Sequence, residues 1–317
     1  MSSDMIDPPS FPARLARRLW AAPYVLLTCT ALFWAGNSIV GRGASELVPP
    51  LALAFWRWSG ALLLVLPLAW PHLRRDAAIL RSSWRTLLIL GTLGIGAFNT
   101  ILYIGLQTTS AVNGLLLQSL QPGLILLFGA ILFAERTRIV QILGLLLSIA
   151  GALTILSRGD LSSLVALRFN GGDLVIAGAV IIWSLYSVLL RKRPQVHPLS
   201  FLAATFAIGV VVLLPFYVAE VLSGRLIESR TESWLAIGYV CIFPSLIANL
   251  CYNRGVELVG SAAAGLYLNI MPIMGAFLAM IFLGEAIRPF HLAGIALVAV
   301  GIACATGRWR RTHPPEA

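Results

Sequence analysis

Charged residues are scarce in this 317-residue chain: Lys, Arg, Asp and Glu make up 11% of it, whereas apolar residues make up 58%. A soluble globular domain has about a quarter of its residues charged. Lipid covers a membrane protein and removes that requirement. The scarcity of charge and a mean hydropathy of +0.87 exclude an ordinary soluble domain and favour an integral membrane protein.

The patterns that mark enzymes and metal sites are also missing. The sequence contains no nucleophile elbow, phosphate-binding loop or zinc-ligand spacing. Its four cysteines fall in apolar stretches, and its four histidines fall in loops, at a helix edge or in the C-terminal tail. We therefore predict a protein that is not an enzyme, that holds no metal or cofactor, and whose cysteines are packing residues.

Ten continuous apolar stretches are present, and each is close to the roughly 20 residues that a helix needs to cross a bilayer. Strands of a membrane barrel would instead be shorter and would alternate polar with apolar residues. The predicted spans are 24–40, 50–70, 87–106, 110–133, 139–156, 174–190, 199–221, 234–253, 261–283 and 290–306. The predicted fold class is an all-α membrane protein of ten transmembrane helices.

Arginine and lysine are distributed unevenly between the loops on the two sides. Sixteen lie in the termini and in the loops on the same side as the termini, and six lie in the opposite loops. Because positively charged loops tend to stay in the cytoplasm, we predict a multi-pass inner-membrane protein with both termini cytoplasmic. This topology accounts for the net charge of +10. A nucleic-acid partner is not predicted, since no basic cluster is interleaved with aromatic residues.

The second half of the chain repeats the first at an offset of 149 or 150 residues. The matched pairs are Trp34 with Trp183, Ser38 with Ser187, Arg42 with Arg191, Pro49 with Pro198, Asn99 with Asn249, Pro122 with Pro272, Glu135 with Glu285, Arg138 with Arg288, Gly144 with Gly294 and Gly151 with Gly301. Each half contains five spans, an odd number, so the second half enters the membrane from the opposite side. Many secondary transporters are inverted repeats of this kind, with the substrate near the midplane between the halves.

The repeat divides the chain into five predicted segments. They are a cytoplasmic N-terminal segment at 1–22, a first five-helix repeat at 23–157, a connecting loop at 158–172, a second five-helix repeat at 173–306 and a basic cytoplasmic tail at 307–317. Glycines seven residues apart on the fifth and tenth helices permit close helix contact. We predict that these helices form an internal seam within a monomer; a dimer interface is the alternative.

Three stretches resemble the EamA-type, ten-helix members of the drug/metabolite transporter superfamily. They are the run 33–38, the start of the second span at 49–57, and Gly284 with Glu285 after Pro272 in the ninth span. The resemblance covers essentially the whole membrane region in both halves. It implies a carrier of small metabolites in a lipid bilayer. Amino-acid exporters of this superfamily are the closest comparison, and nucleobases, sugars and drugs are other substrates that the resemblance implies.

Polar and aromatic residues recur at matching depths in the two halves, where a polar group costs free energy unless it has a partner or a wet cavity. The candidate substrate-binding residues are Trp34, Asn37, Ser38, Arg57, Asn99, Tyr103, Gln118, Gln121, Trp183, Tyr186, Asn249, Tyr252, Asn253, Tyr267 and Asn269. For each of them, interhelical hydrogen bonding is the alternative role. A cavity of amides and aromatic faces suits a neutral or zwitterionic molecule that carries an apolar part.

Arg57 is the only charged residue well inside a predicted span. It either snorkels to the nearer membrane surface, fills a structural role, or meets a substrate carboxylate. Pro122 and Pro272 lie in mid-span, where each removes a backbone hydrogen bond. We predict that the two prolines are paired hinges for alternating access, with a static bend as the alternative.

Acidic residues are absent from the deep parts of the predicted spans. Glu135 and Glu285 lie on opposite membrane surfaces, so we expect only local roles, such as pairing with Arg138 and Arg288. The absence of deep acids therefore favours uniport or exchange over proton antiport, so we predict facilitative transport by alternating access. The resemblance implies that the substrates are amino acids and that the direction is export. A proton-coupled drug or nucleobase exporter, in which Asp173 or a loop acid takes part, and a channel-like pore are the alternatives.

Overall fold

The computed structural model describes residues 18–109, 111–160, 162, 170–283 and 288–306. Over this part of the chain the secondary structure is helical and contains no strand. We name ten helices in chain order. They are α1 (Pro23–Gly43), α2 (Pro50–Ser82), α3 (Trp84–Gly105), α4 (Ala111–Gln118 and Gln121–Phe133), α5 (Ile139–Leu156), α6 (Gly171–Leu189), α7 (Pro198–Leu222), α8 (231–259), α9 (261–283) and α10 (Pro289–Thr306).

Helices α8 and α9 are separated by a single residue. The stretch Thr231–Leu278 reads as one apolar helix of 48 residues, which at 1.5 Å per residue is about 72 Å, more than twice the thickness of the hydrocarbon core. Gly260 interrupts it with φ 82° and ψ 160°, a conformation that glycine adopts without steric cost. The stretch is therefore two spans, and the predicted all-α fold of ten helices is confirmed.

The bounds of two helices differ from the hydropathy prediction. Helix α6 begins at Gly171, three residues before the predicted start, because the side chain of Asn170 accepts hydrogen bonds from the first turn. Helix α2 runs 33 residues, well past position 70, since its polar last turns continue the helix beyond the apolar run. The predicted terminal segments and the connecting loop lie mostly outside the described residues.

Two helices contain a π-helical stretch at equivalent positions of the repeat. These stretches are Gly91–Ala97 in α3 and Cys241–Ile247 in α8, which are 150 residues apart. A π-helical turn widens the helix and changes where its carbonyl groups point, and such turns are frequent at functional sites. The α8 stretch contains Pro244, whose carbonyl oxygen is a hydrogen-bond acceptor in the central site described below.

The two halves pack on each other through equivalent pairs of helices. Helix α1 packs on α8 and α9, and its repeat partner α6 packs on α3 and α4, while α2 packs on its own partner α7. The α2–α7 contact includes the rings of Trp58 and Phe206, with centroids 5.0 Å apart. The core of the molecule therefore lies between the halves, which is where an inverted-repeat transporter holds its substrate.

Helices α5 and α10 form a tight seam on the periphery of this core. A Cβ atom built on Gly144 would lie 2.5 Å from the carbonyl oxygen of Gly301, and one on Gly151 would lie 2.6 Å from that of Gly294. The four glycines of the repeat thus face one another within one chain, as the internal-seam prediction expects. Their contact leaves no room at these positions for any larger residue.

The two ends of the helix bundle are formed by different segments. We name the end that carries the chain termini the terminal end and the opposite one the far end. The terminal end carries the start of α1 at Pro23 and the last turn of α10 at Ala305, which line the same open cavity. At the opposite, far end the backbone N–H of Glu228 donates to the carbonyl of Leu47 at 2.9 Å. Both halves contribute to each end, as the inverted repeat requires.

Candidate functional site

A small cavity lies between the halves in the middle of the bundle. Its volume is about 20 Å³, which is room for about one water molecule. It is lined by Trp34, Asn37, Arg57, Phe98, Asn99, Leu102, Gln118, Gln121, Trp183, Asn249 and Met271. Both repeats supply residues, so the cavity occupies the position that the inverted-repeat architecture predicts for a substrate.

Arg57 is the centre of a hydrogen-bond network on one side of the cavity, and only 1% of its surface is exposed. Its Nε donates to Ser245 Oγ at 2.5 Å, and its Nη2 faces the Pro244 carbonyl oxygen at 3.4 Å. Around Nη1 stand three further acceptor atoms, at 2.8 to 3.0 Å, from Asn37, Asn99 and Tyr103. Arg57 therefore faces into the bundle and does not snorkel outward.

Every hydrogen-bond partner of Arg57 is electrically neutral. The ion pairs found among the described residues do not include it. Its guanidinium carbon lies 4.7 Å from the ring centroid of Trp58, which adds a cation–π contact. A buried cation without a counter-ion is costly in a low-dielectric interior, and an anionic group entering the cavity would lower that cost.

Aromatic rings form the other side of the cavity. Trp34 and Trp183 meet edge to face with centroids 5.0 Å apart, and Phe98 packs on Trp183 at 4.7 Å. The indole N–H of Trp34 donates to the Pro244 carbonyl at 3.0 Å, which holds its ring against the α8 π-helical stretch. An apolar or aromatic part of a small molecule would contact these faces.

Two buried donors at the cavity have no hydrogen-bond partner in the part of the chain that the structure describes. They are the side-chain N–H groups Gln121 Nε2 and Trp183 Nε1. Both residues line the cavity, and their surfaces are 3% and 2% exposed. Because buried donors without partners are rare and costly, these two groups fit an acceptor on a bound molecule or on water.

An amide–phenol pair recurs in each half with its two residues exchanged between helices. In the first half Tyr103 on α3 donates to Asn37 on α1 at 3.0 Å. In the second half Tyr186 on α6 donates to Asn253 on α8 at 3.2 Å. Asn37 is the repeat equivalent of Tyr186, and Tyr103 that of Asn253. The interaction thus recurs at equivalent places, although the residue types at each position differ.

A much larger cavity of about 740 Å³ opens at the terminal end. We call it the vestibule. Its charged lining residues are Glu135, Arg136, Arg138, Arg191 and Glu257. Next to it, the hydroxyls of Thr28 and Tyr267 meet at 3.0 Å, and the ring of Tyr24, which lines the vestibule, lies 5.5 Å from that of Tyr267. We call this contact the constriction. On α9, Ala263 lines the vestibule and Met271 lines the central cavity. Tyr267 stands one turn from each, so the constriction lies between the two spaces along α9.

The structure brings part of the predicted residue set together at the central cavity. The predicted residues that line it are Trp34, Asn37, Arg57, Asn99, Gln118, Gln121, Trp183 and Asn249. Phe98, Leu102 and Met271 also line it and were not predicted, because apolar residues in an apolar span give no signal in the sequence. The side chain of Ser38 lies outside the described residues.

The remaining predicted residues lie away from the cavity lining. Tyr103 belongs to the Arg57 network, and Tyr267 belongs to the constriction. Tyr252 is fully buried and donates to Ser187 Oγ at 2.9 Å, behind the tryptophan rings. Tyr186, Asn253 and Asn269 are also buried without lining the cavity. These residues lie at the depth of the cavity in the bundle, but each occupies a face of its helix that is turned away from the cavity.

The two predicted hinge prolines lie just after breaks in their helices. In α4 the chain leaves the α-helix at Ser119 and resumes at Gln121, so Pro122 occupies the first turn of the second segment. In α9 a 3₁₀ turn, Leu268–Ile270, precedes the segment that contains Pro272. Proline fits a first turn because no intrahelical partner is lost there. Both breaks adjoin the cavity residues Gln118, Gln121 and Met271.

Glu135 pairs with a residue from the other half of the chain. The expected local partner was Arg138, whereas the carboxylate contacts the guanidinium of Arg191 at the end of α6. The reason is that the chain leaves α4 through a left-handed residue, Ala134, which turns Glu135 toward α6. Glu285 and its neighbour Gly284 lie outside the described residues.

Comparisons with known proteins agree on the class of this molecule. The curated relatives include YyaM of Bacillus subtilis, named an uncharacterized transporter, which is 27% identical over 90% of this chain and 93% of its own length. An uncharacterized transporter of Archaeoglobus fulgidus is 26% identical over 90% and 97%. YicL of Salmonella typhimurium, named an uncharacterized inner membrane transporter, is 22% identical over 80% and 85%.

A solved crystal structure of a protein 22% identical to this chain has the same fold, with a TM-score of 0.74 over 92% of this chain and 99% of that one. The sequence pattern of the EamA-like transporter family matches twice, at residues 21–157 and 170–307. These two matches correspond to the two five-helix halves. The chain therefore belongs to the EamA-like transporter family and is a multi-pass membrane transporter of small molecules.

Proposed function

We propose that the protein is a facilitative exporter of amino acids, which it moves across the cytoplasmic membrane by alternating access. The observation that carries this proposal is the buried Arg57 guanidinium, which lines the central cavity and has only neutral partners among the described residues. A substrate carboxylate would supply the missing counter-charge. The free donors of Gln121 and Trp183 would bond the same anionic group or its neighbouring polar atoms.

The rest of the lining supports a substrate with an apolar part. The faces of Trp34, Phe98 and Trp183 line the cavity together with the amides of Gln118 and Asn249. Amides accept and donate hydrogen bonds, so they suit the ammonium group of a zwitterion. An amino acid with an apolar or aromatic side chain presents all three features at once.

The size of the cavity supports a carrier over a channel-like pore. A space of about 20 Å³ cannot hold an amino acid, and ligand sites of about 300 Å³ or more are usual. The Thr28–Tyr267 constriction lies between this space and the vestibule. Substrate entry therefore requires the helices to move, and a protein that opens to one side at a time is a carrier.

The charges at the cavity support facilitative transport. Among the described residues that line it, Arg57 is the only one with a formal charge, and none is a carboxylate that would take up a proton. The arginine-rich vestibule would attract the carboxylate of an entering substrate. The excess of Lys and Arg at the terminal end favours a cytoplasmic vestibule, so substrate would enter from inside the cell.

Counterflow in proteoliposomes tests this function. Vesicles loaded with an unlabelled amino acid, nucleobase or sugar are assayed for uptake of the same labelled compound, with and without a pH gradient. We expect acceleration by apolar and aromatic amino acids, and the same rate with or without the gradient. Empty liposomes and loading with the amide of the same amino acid are the controls.

Three results would contradict the proposal. Acceleration only in the presence of a proton gradient would show proton-coupled transport. Acceleration by nucleobases or sugars alone would show that the substrate needs no carboxylate to pair with Arg57. Conduction without saturation or counterflow would indicate a pore.

A further inference from the structure

A buried carboxylate on α6 lies at the far end of the bundle. Asp173 Oδ1 accepts a hydrogen bond of 2.5 Å from Thr109, and Oδ2 accepts one of 3.2 Å from the amide of Asn113. Thr109 follows α3 and Asn113 lies in the first turn of α4, so the three residues join three helices. Their surfaces are only 3% to 7% exposed. We call them the far-end cluster.

The repeat shows what the cluster corresponds to at the terminal end. With the offsets of 149 and 150, Asp173, Thr109 and Asn113 are equivalent to Tyr24, Val259 and Ala263. These three equivalents all line the open vestibule. The same structural positions are therefore in contact at one end of the molecule and lie around a wide cavity at the other.

We propose that Asp173, Thr109 and Asn113 form the gate that closes the far end while the vestibule is open. The inference rests on the alternating access proposed above and adds the residues that control one side of it. In the opposite state the cluster separates and a far-end vestibule opens between α3, α4 and α6. At the same time the start of α1 closes onto the start of α9, as α6 now closes onto α4.

Backbone contacts behind the cluster support this assignment. A Cβ atom built on Gly172 would lie 2.7 Å from the carbonyl oxygen of Gly105, so α6 and the end of α3 touch through their backbones. The repeat equivalent of Gly172 is Pro23, which lines the vestibule. Next to this contact, Gly105 packs on Ile176 in the same way as its equivalent, Gly255, packs on Leu27 at the other end. The inner contact is common to both ends, whereas the outer position is packed at the far end and lines the vestibule at the terminal end.

The chemistry of the cluster suits a gate that has to reopen. No ion pair to Asp173 is found within the described ranges, so its charge is stabilised there by hydrogen bonds, including one of 2.6 Å from the backbone of Asn170. Burying a carboxylate is costly, and water would restore its hydration when the gate opens. The closed and open states are therefore closer in free energy than an apolar seal would make them.

Cysteine labelling measures the gate without any substrate. The four native cysteines are replaced, and one probe is introduced at either of two equivalent positions, Ile155→Cys toward the far end or Ala305→Cys in the vestibule. Each probe is combined with Asp173→Asn or Thr109→Val, which keep size while removing a hydrogen bond. Glu232→Gln, at an exposed acid near the start of α8, is the matched control. The purified protein in nanodiscs is treated with a polar maleimide.

Loss of a hydrogen bond to a charged group shifts an equilibrium on the order of tenfold. We expect faster labelling at position 155 by about that factor, and slower labelling at 305, in both gate variants. Labelling that rises at both positions would show general loosening and would overturn the gate, and so would unchanged labelling at both. No substrate is present, so the labelling result does not depend on which substrate class the carrier moves. If the gate assignment fails, counterflow by the unmodified protein is unaffected, so the two proposals can fail separately.

Discussion

At the scale of single residues, the unusual feature of this protein is a buried arginine surrounded by neutral groups. Arg57 contacts α1, α3 and α8, so its side chain joins both halves at the level of the cavity. The repeat equivalent of Arg57 is Phe206, which is packed against Trp58. The site is therefore cationic on the Arg57 side alone, and a bound zwitterion would have one orientation in it.

The substitution Arg57→Gln tests whether the guanidinium recognises a carboxylate. We expect the preference of the carrier for an amino acid over its amide, measured as competition for counterflow, to fall by about tenfold or more, because a hydrogen bond to a charged group contributes about 1.5–3 kcal/mol. Arg57→Lys keeps the charge without the planar guanidinium fork. We expect its preference for the amino acid to lie between that of the unmodified protein and that of Arg57→Gln.

Arg74→Gln is the matched control, since Arg74 lies over the ring of Trp70 near the end of α2 and away from the cavity. A structural role for Arg57 would lower thermal stability in detergent and reduce transport of the acid and of the amide equally. An unchanged preference in a stable Arg57→Gln protein would rule out the carboxylate contact.

At the scale of helices, the α5–α10 seam and the far-end gate have opposite requirements. The seam is made of glycines that bring two backbones into direct contact, so it has no reason to open. The gate joins its helices through the carboxylate of Asp173, and water can replace Thr109 as the hydrogen-bond donor to that carboxylate. We therefore expect α5 and α10 to move as a pair, and α6 to move relative to α3 and α4.

Gly151→Ala tests the seam. The added methyl group would lie 2.6 Å from the Gly294 carbonyl oxygen, and overpacking of this kind costs about 1–3 kcal/mol. We expect a melting temperature lower by several degrees. Gly178→Ala is the matched control, because no atom lies within 4 Å of the position of its Cβ and alanine is the better helix former. Equal melting temperatures for the two variants would contradict the seam.

At the scale of the whole molecule, the structure is asymmetric although the sequence repeats. One end has a vestibule of about 740 Å³, whereas a far-end cavity lined by Tyr103 and Gln107 has about 20 Å³. An inverted repeat allows the two ends to exchange these roles, since equivalent positions can adopt either arrangement. The conformation seen here is the one that is open at the terminal end.

The side of the membrane on which the vestibule opens is a prediction of the charge distribution. Sixteen Lys and Arg at the terminal end against six at the far end predict a cytoplasmic terminal end. Reporters fused after Ala317 test this: a green fluorescent protein should fluoresce, and alkaline phosphatase should stay inactive. The reverse pattern would place the vestibule outside the cell and would make the proposed direction import.

The sequence by itself determined the class, the ten spans and the repeat of this protein. Hydropathy is a property of local stretches, and a membrane helix must be about as long as the bilayer is thick. The offset between matched residues such as Trp34 and Trp183 needs no structure to be seen. The burial of Arg57 was an open alternative in the sequence, because its depth alone allows either snorkelling or a turn inward.

The tertiary structure decided which residues at the right depth face the cavity. Asn37 and Tyr186 are equivalent in the repeat, yet the first lines the cavity and the second bonds behind it. Rotation of a helix about its axis depends on the helices packed against it, which lie far away in the chain. The gate could not be predicted for the same reason. In the sequence Asp173 is an acid just before a span, and only folding brings Thr109 and Asn113, which are 64 and 60 residues away, against it.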